Sequence, residues 1–330
     1  MLSRSMVPTR DEEFRKMSIG GHFSALVNEY SFLSKGRYGY ESARSCLYAL
    51  VVTVRPKRVH VPNYICDAIP DVISRAGFIV ETYELENGFR ASQKIDVRSG
   101  DLVILVNYFG LCEEVVREQL EVLPPEAVVV DNSQAYFQPA FPCLANIYSP
   151  RKFIPVPDGG FIETEVALPT EQSDEEASLY RFHYLLKRVG NEPESSRQDY
   201  LAAEKSLEVP ALRQMSALTS AFIRAADHDL IATRRRENFR AFGEVLTANE
   251  LHFDLGDQVP LVYPLIIENG CFLRESLIES RVFTPRFWRN LTPRNEFEND
   301  LMNSSVFLPI DHRYNSSDVE RIYSLIRKIV

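Results

Sequence analysis

Lys152 stands in the run Ser149-Pro150-Arg151-Lys152-Phe153-Ile154-Pro155, framed by prolines and followed by Asp158-Gly159-Gly160. Such rigid framing suits a lysine that must hold a fixed geometry and lose its proton, since only the neutral amine attacks a carbonyl. Burial, or a neighbouring cation such as Arg151, would favour that form. The competing reading is a structural lysine at a turn. Asp131 is the second candidate. It follows Val128-Val129-Val130, so it emerges at the end of a buried strand, where an ionised carboxylate needs either a cationic partner or a helix to cap. Gln134 lies three residues beyond Asp131 and Ser149 three before Lys152, within reach of whatever those two hold. Upstream, Ser42, Ala43 and Arg44 end a loop of glycine and serine and open the helical spacing Ala43, Leu47, Leu50, Val51. The unpaired N–H groups of a helix start can receive an anion; the same residues also read as an ordinary cap.

Together these are the parts a pyridoxal phosphate enzyme requires of its protein. Lys152 would form the Schiff base. Asp131 would keep the pyridine nitrogen protonated so that the ring can accept electrons. Gln134 would bond the ring oxygen, and Ser42, Ala43, Arg44 and Ser149 would hold the phosphate.

The elements that must position these residues alternate in type. Strands are expected at 58–62, 78–83, 102–108 and 127–130, and helices at 67–76 and 115–123. Near-continuous apolar strands between amphipathic helices indicate a mostly parallel sheet covered on both faces. Function in such sheets gathers at the carboxyl ends of the strands, where Asp131, Tyr108 and Tyr64 fall. After an acidic and mixed stretch, helices are expected around 177–189, over 198–207, and from 210 into a segment ending at 246. Shorter elements follow: strands at 261–267 and 281–283, a helix at 272–280, then a final strand and helix. This tail reads as a smaller α+β domain. Residues 1–20 read as an arm, 1–225 as the large domain and 226–330 as the small one.

Composition narrows the class. With 330 residues, 45% hydrophobic and 25% charged, the chain is an ordinary globular protein with room for a sizeable core. A net charge of −9 argues against a nucleic-acid partner, and Arg234-Arg235-Arg236 reads as a solvated helix face. Five scattered cysteines without a C-x-x-C pair fit reduced thiols in the cytoplasm and no zinc site. The six histidines show no metal-ligand spacing. No apolar run is long enough for a membrane span, and the N-terminus lacks a secretory signal.

The ordered set of motifs resembles the DegT/DnrJ/StrS sugar aminotransferases, a branch of the fold type I pyridoxal phosphate enzymes. DNSQA at 131–135 is similar to that family's D-A-A-Q-A, and Gly159-Gly160 stand where its G-E-G-G closes. VHVPNYICDAI, VNYFG, RRRENFRAFGEVL and the closing SSVFLPIDHRYNSSDVERIYSLI resemble further family segments in the right order, from about residue 36 to the end. The resemblance implies an aspartate aminotransferase-like large domain with a small C-terminal α+β domain, and a homodimer with shared active sites. It implies transfer of an amino group from an amino acid, by family habit glutamate, to a keto group on a nucleotide-linked sugar, in polysaccharide or glycoconjugate biosynthesis. Arg213 and Ser216 occupy the place of the segment that in the family reaches the partner's phosphate. Tyr108, Arg286 and Trp288 are candidates for substrate contact, the last two reading equally as a surface and core pair. Cys66 stands where the family has an aromatic stacked on the cofactor, so Tyr64, Tyr108 or another group would take over. Two alternatives accompany this reading: another pyridoxal phosphate reaction on a sugar, or a degenerate member with a binding or regulatory role. Retention of Lys152 speaks against the sugar 3-dehydratase branch, which has histidine there.

Overall fold

A computed structural model describes residues 36–190, 193–288 and 290–329; the arm expected at 1–20 lies outside them. The most apolar runs make the centre. β1 (Arg37–Tyr40) leads into α1 (Ala43–Val54). β2 (Arg58–Pro62), α2 (Ala68–Arg75) and β3 (Ile79–Tyr83) follow, then β4 (Leu102–Val106), α3 (Glu113–Val122), β5 (Val128–Asn132), β6 (Ala145–Tyr148) and β7 (Gly160–Thr164). All seven strands form one sheet in the order β1-β7-β6-β5-β4-β2-β3. β2 to β6 pair in parallel, whereas β7 runs antiparallel to both β6 and β1. Every residue of β4 and β6 is buried, as a strand covered on both faces must be. β3 at the edge is half exposed.

The rest of the chain is helical and then mixed: α4 (Glu175–Arg188), α5 (Arg197–Ser206), α6 (Ala217–Ala225), α7 (His228–Val245), β8 (Val262–Ile266), α8 (Gly270–Glu279), α9 (Glu296–Asn303), β9 (Ser305–Pro309) and α10 (Ser316–Ile329). β8 and β9 pair antiparallel as a second sheet, with α8 packed on β9 and α10 against α7. One buried apolar cluster joins the two sheets. Phe109, just after β4, sits at its centre with ring centroids 5.1 Å from Phe307 of β9 and 6.0 Å from Phe287.

The structure differs from the sequence-based expectation in four places. β1 and β7 lie in stretches rich in glycine, which mask strand periodicity. The helical pattern from 210 to 246 is broken twice, because Ser216 and Asp227 each turn back to cap a new helix, accepting the N–H groups of Thr219 and Leu230. α9 was not anticipated. Residues 281–283 form no strand; Arg281 takes a left-handed φ of 62° that ends α8 instead.

Candidate active site

Asp131 is the fourth residue of β5, in register with Val106 of β4 and Ile147 of β6. Alternation along the strands puts Ile104, Val106 and Val129 on the same sheet face, and these apolar side chains line a cavity with Asp131 at its edge. One carboxylate oxygen of Asp131 accepts the Ser133 N–H at 2.8 Å. The other makes no bond among the described residues and is free for a cation.

Lys152 ends a single 3₁₀ turn, Pro150–Lys152. Pro150 presets the turn, and its carbonyl accepts the N–H groups of both Phe153 and Ile154 at 2.9 Å. The backbone of the lysine itself is pinned from a distance. Arg235 of α7 donates to the Lys152 carbonyl at 3.4 Å and to the carbonyls of Leu261 at 2.8 Å and Pro260 at 3.2 Å, with its guanidinium 4.5 Å from the Phe153 ring centre. Burial pushes the Arg235 pKa down to about 10. The reading of Arg234-Arg235-Arg236 as a solvated face is therefore corrected at its middle residue. Arg235 is only 2% exposed. The signal was present: Arg235, Asn238, Phe239 and Phe242 recur at i, i+3, i+4 and i+7, the stripe of a buried helix face, and all four are buried.

The surroundings expected for Lys152 are also corrected. The side chain is exposed rather than buried, and the neighbouring charge is spoken for, because the largely buried Arg151 guanidinium pairs with Glu204 of α5. Burial alone would push the Arg151 pKa down, but Glu204 outweighs it and holds the group above its usual range. Glu204, which the sequence offered no sign of, thereby becomes part of the cavity wall. The Lys152 amine has no partner among the described residues.

Donors for an anion gather at the N-terminus of α1. Ser42 caps the helix by accepting the Ser45 N–H at 3.1 Å, leaving the Ala43 and Arg44 amides, which no helical carbonyl can reach. Gly160 lets β7 pass beside them: a Cβ there would lie 2.3 Å from the Ala43 nitrogen. The Arg44 guanidinium is tied to the Leu207 carbonyl at 3.2 Å. Ser149 is buried, and its hydroxyl has no partner among the described residues. Gln134 spends its carbonyl oxygen on the Phe109 N–H at 2.7 Å, so its amide nitrogen is the end left to donate.

Ser42, Ala43, Arg44, Asp131, Gln134, Ser149, Lys152 and Trp288 all line this one cavity. Tyr64, Tyr108, Arg213, Ser216 and Arg286 do not. Tyr64 and Tyr108 are buried behind it, with the Tyr108 hydroxyl donating to the Tyr64 carbonyl at 2.5 Å. Arg213 pairs through two nitrogens with Glu41 at 3.1 and 3.2 Å. Ser216 caps α6 and donates to Asp158 at 3.3 Å. Arg286 reaches the Met302 carbonyl at 3.5 Å. A second cavity of about 580 Å³ meets the first at Lys152 and is lined by Arg188, Arg197, Arg235 and Arg313 against the acids Glu194 and Asp311. Among the described residues no His, Cys, Asp or Glu cluster is arranged to hold a metal, and no helix is long and apolar enough to cross a membrane.

No family model and no curated protein matches this sequence. Solved structures do match. Helicobacter pylori PseC, an aminotransferase involved in the biosynthesis of pseudoaminic acid, is similar at 13% identity and a TM-score of 0.63, over 89% of this chain and 86% of PseC. The PMP form of Streptococcus pneumoniae Spr1654 aligns at 14% identity and a TM-score of 0.61, over 89% and 87% of the two chains. A DegT DnrJ EryC1 StrS aminotransferase from Brucella abortus aligns at 14% identity and 0.60, over 88% and 85%. The chain has the fold of these aminotransferases.

Proposed function

We propose that the protein is a pyridoxal-phosphate-dependent aminotransferase that moves an amino group from an amino acid to a keto group on a sugar. The observation that carries this is the meeting, at one cavity, of a strand-end carboxylate with one oxygen unbonded among the described residues, a lysine with no partner among them and the N-terminus of α1. When bound, pyridoxal phosphate supplies an electron sink that makes the donor's α-proton labile. Asp131 holds the pyridine nitrogen protonated. The Gln134 amide nitrogen donates to the ring's phenolic oxygen. The Ala43 and Arg44 amides and the Ser149 hydroxyl bind the phosphate. Lys152 would hold the cofactor through its aldehyde carbon, and its amine would serve as the base that takes the proton from the donor's α-carbon and as the acid that gives it back.

Glutamate is the proposed donor and a nucleotide-linked sugar the proposed acceptor, in polysaccharide or glycoconjugate biosynthesis in the cytoplasm, with the protein working as a homodimer with shared sites. The arginine-rich cavity that opens at Lys152 supports a phosphate-bearing acceptor, because its cations outnumber its carboxylates.

Absorbance tests the core of this reading. Protein incubated with pyridoxal phosphate develops a band at ~410–430 nm that Lys152→Ala abolishes, and added glutamate shifts it. The variant loses about 10²- to 10⁴-fold in turnover. A wild-type protein without the band defeats the proposal; a band that ignores glutamate points to a different reaction on the same cofactor.

A further inference from the structure

Trp288 is the single aromatic among the described residues that line the Asp131–Lys152 cavity. On the loop after β2 the cavity meets Cys66, a small side chain, while the bulky Tyr64 of that loop is turned into the core and fully buried. Trp288 comes from a segment more than two hundred residues away in sequence, and the fold fastens that segment to the Cys66 loop on both sides. Asn290 donates to the Asp67 carboxylate at 2.8 Å. Asn63 donates to the Thr292 carbonyl at 3.0 Å and to Glu298 at 2.7 Å. Glu298 itself is fully buried, and its other oxygen accepts the Leu85 N–H at 3.1 Å. These bonds leave little freedom for the loop and the tryptophan to move apart.

The side chain is braced as well. Its ring lies 4.6 Å from Tyr64 in an edge arrangement of 67°, and 6.0 Å from Tyr108 at 63°. The backbone of Trp288 has a φ of 55°, the left-handed region that a bulky residue adopts only where its surroundings hold it there. Strain at a residue that faces a cavity, supported by two buried tyrosines, is the pattern of a side chain kept in place for what enters the cavity.

We propose that Trp288 is the aromatic wall of the cofactor cavity, contacting the pyridine ring on the side where the loop after β2 presents only Cys66. The inference rests on the cofactor reading above. It makes Trp288 a cofactor-binding residue rather than the substrate contact its position in sequence implied, and it gives Tyr64 and Tyr108 the part of backing that wall. An indole is suited to the task, because its electron-rich face attracts an electron-poor ring whose nitrogen Asp131 keeps charged.

The test uses pyridoxamine phosphate, whose amine cannot bond to Lys152, so that binding reads ring and phosphate contacts alone. Trp288→Phe keeps an aromatic face and binds within about twofold of wild type, whereas Trp288→Leu keeps the apolar bulk and binds about five- to tenfold more weakly. Trp288 is also the only tryptophan of the chain, so its fluorescence is a private signal. Saturating pyridoxamine phosphate shields it from quenching by acrylamide. Equal binding by the leucine variant and wild type overturns the proposal. So does acrylamide quenching that the ligand leaves unchanged, a measurement on wild type that stands even when the leucine variant fails to fold. A lysine-dependent absorbance band in a protein indifferent to Trp288→Leu defeats this inference alone. A wild-type protein that neither shows the band nor binds pyridoxamine phosphate defeats the cofactor reading with it.

Discussion

Two groups of charged and polar side chains flank the Gly159-Gly160 pair, and they differ in one respect. On one side Asp131, Ser149, Lys152 and the first amides of α1 converge on a cavity with donors and acceptors to spare. On the other, Glu41, Asp158, Arg181, Arg213, Ser216 and Thr219 are bonded to one another. Arg181, 3% exposed, reaches Glu41 and Asp158 at 3.4 Å each. Arg213 pairs with Glu41, and both Ser216 and Thr219 donate to Asp158. The second group is a clamp: the Glu41 carbonyl accepts the Gly159 N–H at 2.7 Å, which fixes the turn that carries β7 past the N-terminus of α1. Burial alone does not separate structure from function here, since both groups hold buried polar side chains. What separates them is satisfaction. A buried charge whose partners are all internal is frame, while convergent groups without partners are a site for something else.

The contrast can be broken by experiment, and the largest effect is expected in the clamp. Arg181→Met leaves the carboxylates of Asp158 and Glu41 buried with fewer cations, so unfolding in urea costs about 3–5 kcal/mol less. The fraction that remains folded still binds pyridoxamine phosphate at close to wild-type strength. A variant of unchanged stability that has lost the ligand would move Arg181 into the site. Asp131→Asn is the mirror case. It removes the charge proposed to hold the pyridine nitrogen protonated, and turnover falls about 100-fold with the melting temperature little altered. Comparable loss of stability in this variant would show that Asp131 belongs to the frame. Arg213→Gln is the smallest change, about 1 kcal/mol or less, because the pair is partly exposed and Glu41 keeps Arg181. If its affinity for pyridoxal phosphate falls sharply at full stability, Arg213 serves a phosphate after all, as the motif comparison implied.

These residues also mark how far the chain could be read before it was seen folded. Asp131 and Lys152 were legible because each is bracketed by strong local signals, three valines on one side and prolines with a glycine pair on the other. β2 to β5 were legible for the same reason, their apolar runs being bounded by turn residues. Arg213 and Ser216 were placed with the phosphate by their position in a motif, and a motif does not say which partner a guanidinium finds first. Within this chain it is Glu41. Burial, or the charge of Arg151, would favour a neutral Lys152 amine, yet Glu204, on a helix some fifty residues later, takes the arginine and the lysine stays exposed.

The sequence by itself therefore determined the alternation of strands and helices from β2 to β5, the helix start at Ser42 and the two residues on which the proposed chemistry turns, because periodicity, capping and chain rigidity are written in neighbouring residues. Only the tertiary structure decided what holds them. Arg235 grips the Lys152 carbonyl across 83 residues, and Asn63 binds Glu298 across 235. Nothing local distinguishes Arg235 from Arg234 and Arg236 except the helix face it occupies, and nothing local ties Trp288 to Cys66. Such partnerships depend on which surfaces pack together, so they exist only once the sheet has closed over its helices and brought the loop after β2 against the segment that carries the tryptophan.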